Sequence, residues 1–157
     1  MVQDNKDSKI TLYHHSDGYP TNMLEEIKDA YEQAIARLRK ELPQYPQYFK
    51  LRWTGSMASF LSAENPTGFE QEKGNALHGD IEWYYVIKPK KMPEGEEIPE
   101  WEVTVYKVTG RDEDQKLIPI VRDEVRKAAK AAEKIEEIGN KKGDEEYEKM
   151  SKKKARA

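Results

Sequence analysis

Hydrophobic and polar residues follow two different patterns along this chain, and together they predict both helices and strands. Across residues 22–42 the apolar residues recur at steps of three and four, the spacing of one helix face. Residues 9–14 alternate, and residues 80–88 and 101–108 are rich in aromatic and β-branched side chains, which is typical of strands. We therefore predict an α+β fold: a small antiparallel sheet of these three segments with the long amphipathic helix packed across one face.

A C-terminal charged helix is predicted from the change of composition after residue 121. Its apolar stripe is narrow and is suited either to docking on the domain or to pairing with a second copy. Gly139 and Gly143 are expected to break the helix and to leave a frayed or disordered end. The predicted organisation is an α+β domain over residues 8–120 and a charged helical extension over residues 121–157. The stripe consists of Val121, Val125, Ala128, Ala132, Ile135 and Ile138.

The composition excludes several classes of protein. The 157 residues include no cysteine, which rules out disulfides, cysteine-ligated zinc, iron–sulfur clusters and a thiol nucleophile. No apolar run approaches the roughly 20 residues of a membrane span, and the polar N-terminus lacks a signal-peptide core, so a cytoplasmic protein is expected. The formal net charge of -3 gives no overall basic field, so neither nucleic acid nor a membrane is an expected partner.

The first candidate site joins the first strand to the first helix. Two imidazoles, a carboxylate and two phenols lie where a helix N-terminus offers unpaired backbone amides. These groups could bind a phosphate, a metal ion or a nucleobase. The structural alternative is that Asp17 and Gly18 make a turn while Pro20 fixes the start of the helix. The candidate residues are Tyr13, His14, His15, Asp17 and Tyr19.

The second candidate site lies at the start of the predicted strand 80–88. Period-two alternation places His78, Asp80 and Glu82 on one face, and an imidazole with two carboxylates suits a divalent metal ion. The structural alternative is favoured, because strand residues on an open sheet face are polar anyway and His78 with Gly79 could simply form a loop. Tyr84 shares this face, where its ring could stack on a base or another ligand.

Two weaker signals complete the candidate residues. Arg52 and Trp53 could form a pair that stacks on a base and binds its phosphate, although an arginine stem over a tryptophan is also ordinary surface packing. The basic residues between 149 and 156 could contact nucleic acid or an acidic partner, but three glutamates precede them closely, which favours a solvated end. With Arg52 and Trp53 they suggest a nucleic-acid-binding module, the weakest hypothesis given the net charge.

Two of these segments together resemble a family of small uncharacterised phage and prophage proteins. The family's N-terminal motif usually reads Tyr-Arg-His-x-Asp-Gly-Tyr-Pro, and residues 13–20 read Tyr-His-His-Ser-Asp-Gly-Tyr-Pro. Its later strand reads Asp-Ile-Glu-Tyr-x-Tyr, and residues 80–85 read Asp-Ile-Glu-Trp-Tyr-Tyr. His14 stands where arginine is usual, and Ser16 where tryptophan is common. The resemblance spans residues 10–108 and implies a phage accessory context, in which small non-enzymatic inhibitors of host defence are frequent.

The favoured interpretation is a non-enzymatic binding protein of phage or mobile-element type that sequesters a host-defence component, either a protein effector or a nucleotide signal. The sequence has no glycine-rich phosphate loop, nucleophile elbow or His-Glu-x-x-His motif, and no cofactor is expected. The binding surface requires strand 9–14 to lie beside strand 80–88, and a homodimer through residues 121–138 is a further expectation. The alternative is a metal-dependent phosphoesterase or nuclease that uses His14, His15, Asp17, His78, Asp80 and Glu82.

Overall fold

The structure is a computed structural model that describes residues 11–14, 18–41, 60–63, 69–72, 81–90, 100–110 and 115–155. The predicted α+β class is confirmed: a small antiparallel sheet, a long amphipathic helix and a charged C-terminal helix are all present. Residues 60–63 add a short helical turn. The elements in chain order are β1 (Thr11–His14), α1 (Pro20–Glu41), β2 (Phe69–Glu72), β3 (Trp83–Pro89), β4 (Trp101–Thr109), β5 (Lys116–Glu124), α2 (Val125–Lys130) and α3 (Ala132–Ala155).

The main sheet has three antiparallel strands in the order β3-β4-β5. Strand β3 pairs with β4 along its whole length, and the pairing of β4 with β5 is irregular between Val105 and Tyr106. Pro119 lies in β5 opposite Tyr106, next to this irregularity. Because proline has no backbone N–H to donate, it fits into a sheet mainly at bulges and on edge strands, where that hydrogen bond is not needed.

The prediction that the first strand lies beside strand 80–88 is wrong. Strand β1 pairs with β2 in a separate two-stranded sheet, with Thr11 opposite Glu72 and His14 opposite Phe69. The sequence of β2, Phe-Glu-Gln-Glu, has three consecutive polar residues. Its strand conformation therefore depends on backbone hydrogen bonds, which hydrophobic alternation does not reveal.

Helix α1 begins at Pro20, slightly before the predicted start at residue 22. The backbone amides of Asn22 and Met23 donate to the carbonyl of Tyr19, at 3.1 and 2.9 Å, and so close the first turn. Proline suits the first helical position because the N–H that it lacks would have no partner inside the helix. The buried face of α1 consists of Met23, Leu24, Ile27, Ala30, Tyr31, Ala34 and Ile35.

One hydrophobic core joins α1 to the sheet and to both C-terminal helices. Trp101 is 1% exposed, and its ring meets the ring of Tyr31 edge to face at a centroid distance of 5.3 Å. The most extensive contacts of α1 are with α2 and α3, where small alanine side chains allow close approach. The apolar stripe of the C-terminal helices therefore docks inside the chain, as the first of the two alternatives predicted. A homodimer through residues 121–138 stays a prediction. The buried stripe residues are Val125, Ala128, Ala132 and Ile135.

The expected break of the C-terminal helix at Gly139 and Gly143 does not occur, and the end expected to be frayed or disordered is helical to Ala155. Both glycines are buried against the sheet. A Cβ atom at Gly139 would lie 2.2 Å from Cη2 of Trp83, and one at Gly143 would lie 3.0 Å from Cε of Lys107. The missing side chains thus let α3 lie directly on the sheet, and this packing offsets the low helix propensity of glycine.

The expected boundary near residue 121 is also displaced. Strand β5 continues to Glu124, and the helical region begins at Val125. Among the described residues, no helix is both long enough and apolar enough to span a membrane.

Candidate functional site

The structure describes only part of the predicted site. The side chains of His14, Tyr19, Glu82 and Tyr84 are described, whereas for Tyr13 only the backbone is. The remaining candidates lie outside the described residues: His15, Asp17, Arg52, Trp53, His78 and Asp80. Within the part of the chain that is described, no group of three or more histidine and acidic side chains is placed to hold a metal ion.

His14 connects the end of β1 to the first turns of α1. Its Nε2 atom lies 3.1 Å from Oε2 of Glu26, and the two side chains are 9% and 21% exposed. Nδ2 of Asn22 donates to the other oxygen of Glu26 at 3.4 Å. These contacts place His14 and Glu26 in an internal polar pair, so the geometry supports a structural role for His14 at this junction.

Tyr85 of β3 fastens the backbone at Gly18, just before α1, to the main sheet. Its hydroxyl group donates to the carbonyl oxygen of Gly18 at 2.7 Å. Burial raises the pKa of Tyr85, and the negative charge of Glu136 raises it further, so the hydroxyl keeps its proton at neutral pH. The segments 13–20 and 80–85 are therefore in contact through Tyr85.

Replacing Tyr85 with phenylalanine should lower the free energy of unfolding by about 1 kcal/mol at neutral pH, because the Gly18 carbonyl loses its donor. The two proteins should also differ at alkaline pH. A tyrosine in an unfolded chain has a pKa of about 10, and folding raises the pKa of Tyr85 above this value. The stability due to this proton is complete below about pH 10 and is lost as the pH rises, by up to about 1.4 kcal/mol per pH unit.

Urea unfolding of both proteins across this pH range measures the difference. Tyr31, whose pKa burial also raises, is present in both proteins and so contributes equally to each. The wild-type protein should lose stability more steeply than Tyr85→Phe above about pH 10. If the free energies of unfolding of the two proteins changed with pH in parallel, the phenol of Tyr85 would not be buried beside Gly18.

Tyr84 lies on the opposite side of the main sheet from the helices. Side chains alternate between the two sides of the sheet along β3 and β4. Trp83 and Trp101 point toward the core, so Tyr84, Glu102 and every second residue after them lie on the other side. Tyr84 is paired in register with Tyr106, and their ring centroids are 6.2 Å apart. We call this side the outer face; it comprises Tyr84, Val86, Lys88, Glu102, Thr104, Tyr106, Pro119 and Arg122.

A hollow of about 340 Å³ lies on the outer face. Val86, Thr104 and Tyr106 line it together with two exposed cationic side chains, Lys88 and Arg122. Its volume falls near the lower end of the range for small-molecule sites, about 300–1,000 Å³. The hollow is therefore a candidate place for a small ligand on the outer face.

The charged groups at the hollow are partly engaged with each other. Nε of Arg122 donates to Oε1 of Glu102, and this hydrogen bond raises the pKa of Arg122, which keeps its charge. Lys88 forms no ion pair with any described residue. Glu82, the predicted neighbour of Tyr84, is exposed just before β3, where its carbonyl accepts a hydrogen bond from the amide of Val108 at 2.8 Å.

Sequence reasoning found Tyr84 but not the residues that the sheet brings to it. Tyr106 carries the same alternation signal within its own strand, so it could have been assigned to this face. Lys88 was within a predicted strand, but Arg122 was placed in a helix. The strand register that joins the three is a property of the folded sheet.

No protein-family model, curated protein or solved structure matches this chain. The function is therefore inferred from the residues and their geometry.

Proposed function

We propose that the protein is a non-enzymatic binding protein of phage or mobile-element type that sequesters a host-defence component on its outer face. The observation that carries the proposal is the outer face itself, with its tyrosine pair and its hollow. The side of an antiparallel sheet that faces away from its helices is usually polar. Here it presents aromatic and aliphatic groups beside exposed cations, a mixture typical of binding surfaces. The phage context rests on the resemblance of residues 13–20 and 80–85.

The described outer face carries groups that can bind a ligand. Its groups are phenols, an ammonium, a guanidinium and a carboxylate, all of which can hold a ligand by stacking or by hydrogen bonds. Glu102 accepts a hydrogen bond from Arg122, which restrains the guanidinium among the residues that line the hollow. These properties support a binding role for the outer face.

Capture from bacterial lysates tests the proposal with matched variants. Immobilised wild-type protein should retain a protein or small molecule from cells that carry defence systems, identified by mass spectrometry. The double variant Tyr84→Ala/Tyr106→Ala should lose it, because both rings of the outer face are removed. Tyr147→Ala is the matched control, since this tyrosine is 69% exposed on α3, away from the main sheet's outer face.

The control and the wild-type protein should retain the same species. Equal recovery by all three proteins would contradict the assignment of the outer face as the binding surface. Recovery of a ligand that the wild-type protein has chemically changed would contradict a non-enzymatic function.

A further inference from the structure

Two tyrosines form an aromatic surface beside the hollow. Tyr84 and Tyr106 are cross-strand partners whose ring planes are tilted by 58°. Both residues are half-buried, so each is packed against its neighbours and is also partly accessible. Tyr106 also lines the hollow. A ring held in this way offers a face on which a planar base can stack.

Two cations stand at the same hollow in an otherwise acidic protein. Lys88 and Arg122 with Glu102 give its lining a formal charge of +1, whereas the whole chain has a formal charge of -3. The side chain of Arg122 is 72% exposed. Because only its Nε is engaged by Glu102, its two terminal amino groups can form the forked pair of hydrogen bonds that suits a phosphate. The local charge therefore complements an anion.

The strand register spreads these groups over three strands, with Arg122 on β5 and Lys88 on β3, at opposite sides of β4. Arg122 is opposite Thr104, two residues from Tyr106 along β4, which is a step of about 7 Å. Lys88 is opposite Glu102, two residues further in the same direction. Along the strand direction the hollow therefore offers, in order, an aromatic ring on β4, a guanidinium on β5 and an ammonium on β3.

We propose that the hollow binds a nucleotide with at least two phosphates, its base on Tyr106 and its phosphates at Arg122 and Lys88. This inference rests on the proposed function, because it names the ligand class of the same outer face. A base followed by successive phosphates has the order of groups that the hollow presents. An acidic peptide would satisfy the cations but would leave Tyr106 without a planar partner.

Calorimetric titration of the full-length protein with adenosine, AMP, ADP and pyrophosphate tests the proposal. ADP should bind more tightly than AMP, and AMP more tightly than adenosine. Arg122→Gln and Tyr106→Ala should each weaken ADP binding about tenfold, through the loss of a charged hydrogen bond and of stacking respectively. Lys88→Gln should reduce the preference for ADP over AMP, because it removes the cation furthest from Tyr106.

Two variants away from the hollow serve as controls. Lys141→Gln removes an exposed cation of α3 and Tyr147→Ala an exposed ring, so neither should change ADP binding. Circular dichroism checks that each variant is folded; Arg122→Gln changes an exposed side chain and keeps the test valid if Tyr106→Ala unfolds. Absence of ADP binding, binding of pyrophosphate as tight as that of ADP, or equal binding by every variant would overturn the proposal.

The two proposals fail in different ways. If ADP and the other nucleotides do not bind but the outer face captures a host protein or an acidic peptide, the nucleotide inference is wrong and the proposed function stands. If ADP binds with the expected variant effects but capture from lysates does not depend on the outer face, the nucleotide site stands and the host-defence function is wrong.

Discussion

Replacing Gly139 with alanine should destabilise the protein by about 2–3 kcal/mol. In an exposed helix interior the same change is stabilising by about 1 kcal/mol, because alanine has the higher helix propensity. Here the new Cβ would lie 2.2 Å from Cη2 and 2.6 Å from Cζ3 of Trp83. Trp83 is only 8% exposed and has the Lys107 ammonium 4.6 Å from its ring centroid, so its ring has little room to move.

Gly143→Ala is the matched control, one helical turn further along α3. Its Cβ would meet Cε of Lys107 at 3.0 Å, and this end of a flexible side chain can move aside. We expect this variant to be neutral or stabilised by up to about 1 kcal/mol. Urea unfolding compares the two, with far-UV circular dichroism to follow helix content. Equal stability of the Gly139 and Gly143 variants would show that α3 does not lie against Trp83.

The largest loss of stability is expected for Trp101→Ala, about 3–5 kcal/mol. Trp101 begins β4, the central strand of the main sheet, and is 1% exposed. Its ring meets Tyr31 edge to face, which joins α1 to the sheet. Alanine would therefore leave a cavity at the point where helix and sheet meet.

Trp101→Phe is the control for this site, since it keeps an aromatic ring near Tyr31 and removes less volume. It should be clearly less destabilised than Trp101→Ala when both are unfolded in urea. A cost below about 1 kcal/mol for Trp101→Ala, the range of ordinary surface changes, would contradict the described core.

The amphipathic elements were predictable because each carries its own signal. The residues of α1 that fit one helix face, from Leu24 to Ile35, are the ones that are buried. In β3 and β4 the aromatic and β-branched residues likewise mark strands with one buried side. Local patterning is sufficient where a single apolar face decides the conformation.

The remaining features depend on contacts between residues distant in sequence. Propensity alone marks Gly139 as a helix breaker, and only the ring of Trp83 on the sheet explains why glycine is needed inside α3. Strand β2 has no apolar alternation, so its partner β1 could not be chosen from the pattern. Both errors arise because tertiary packing and backbone pairing outweigh local propensity.

The candidate site shows the same division. Alternation placed Tyr84 on the side of β3 away from the core, and the structure places it there. The grouping of Tyr84 with Tyr106 and Arg122 depends on the register of three strands and on the irregularity between Val105 and Tyr106. A register shift of one residue would turn these side chains to the other face, so sequence patterns alone could not assemble the hollow.

Phage plating on bacterial strains that each carry one defence system tests the proposed function most directly. We expect expression of the wild-type protein to restore plating in at least one strain, and Tyr147→Ala to restore it equally. Tyr84→Ala/Tyr106→Ala, expressed at the same level, should not restore plating, because the host-defence component would not be bound and would stay active. Unchanged plating in every strain, or full restoration by the double variant, would contradict sequestration of a host-defence component on the outer face.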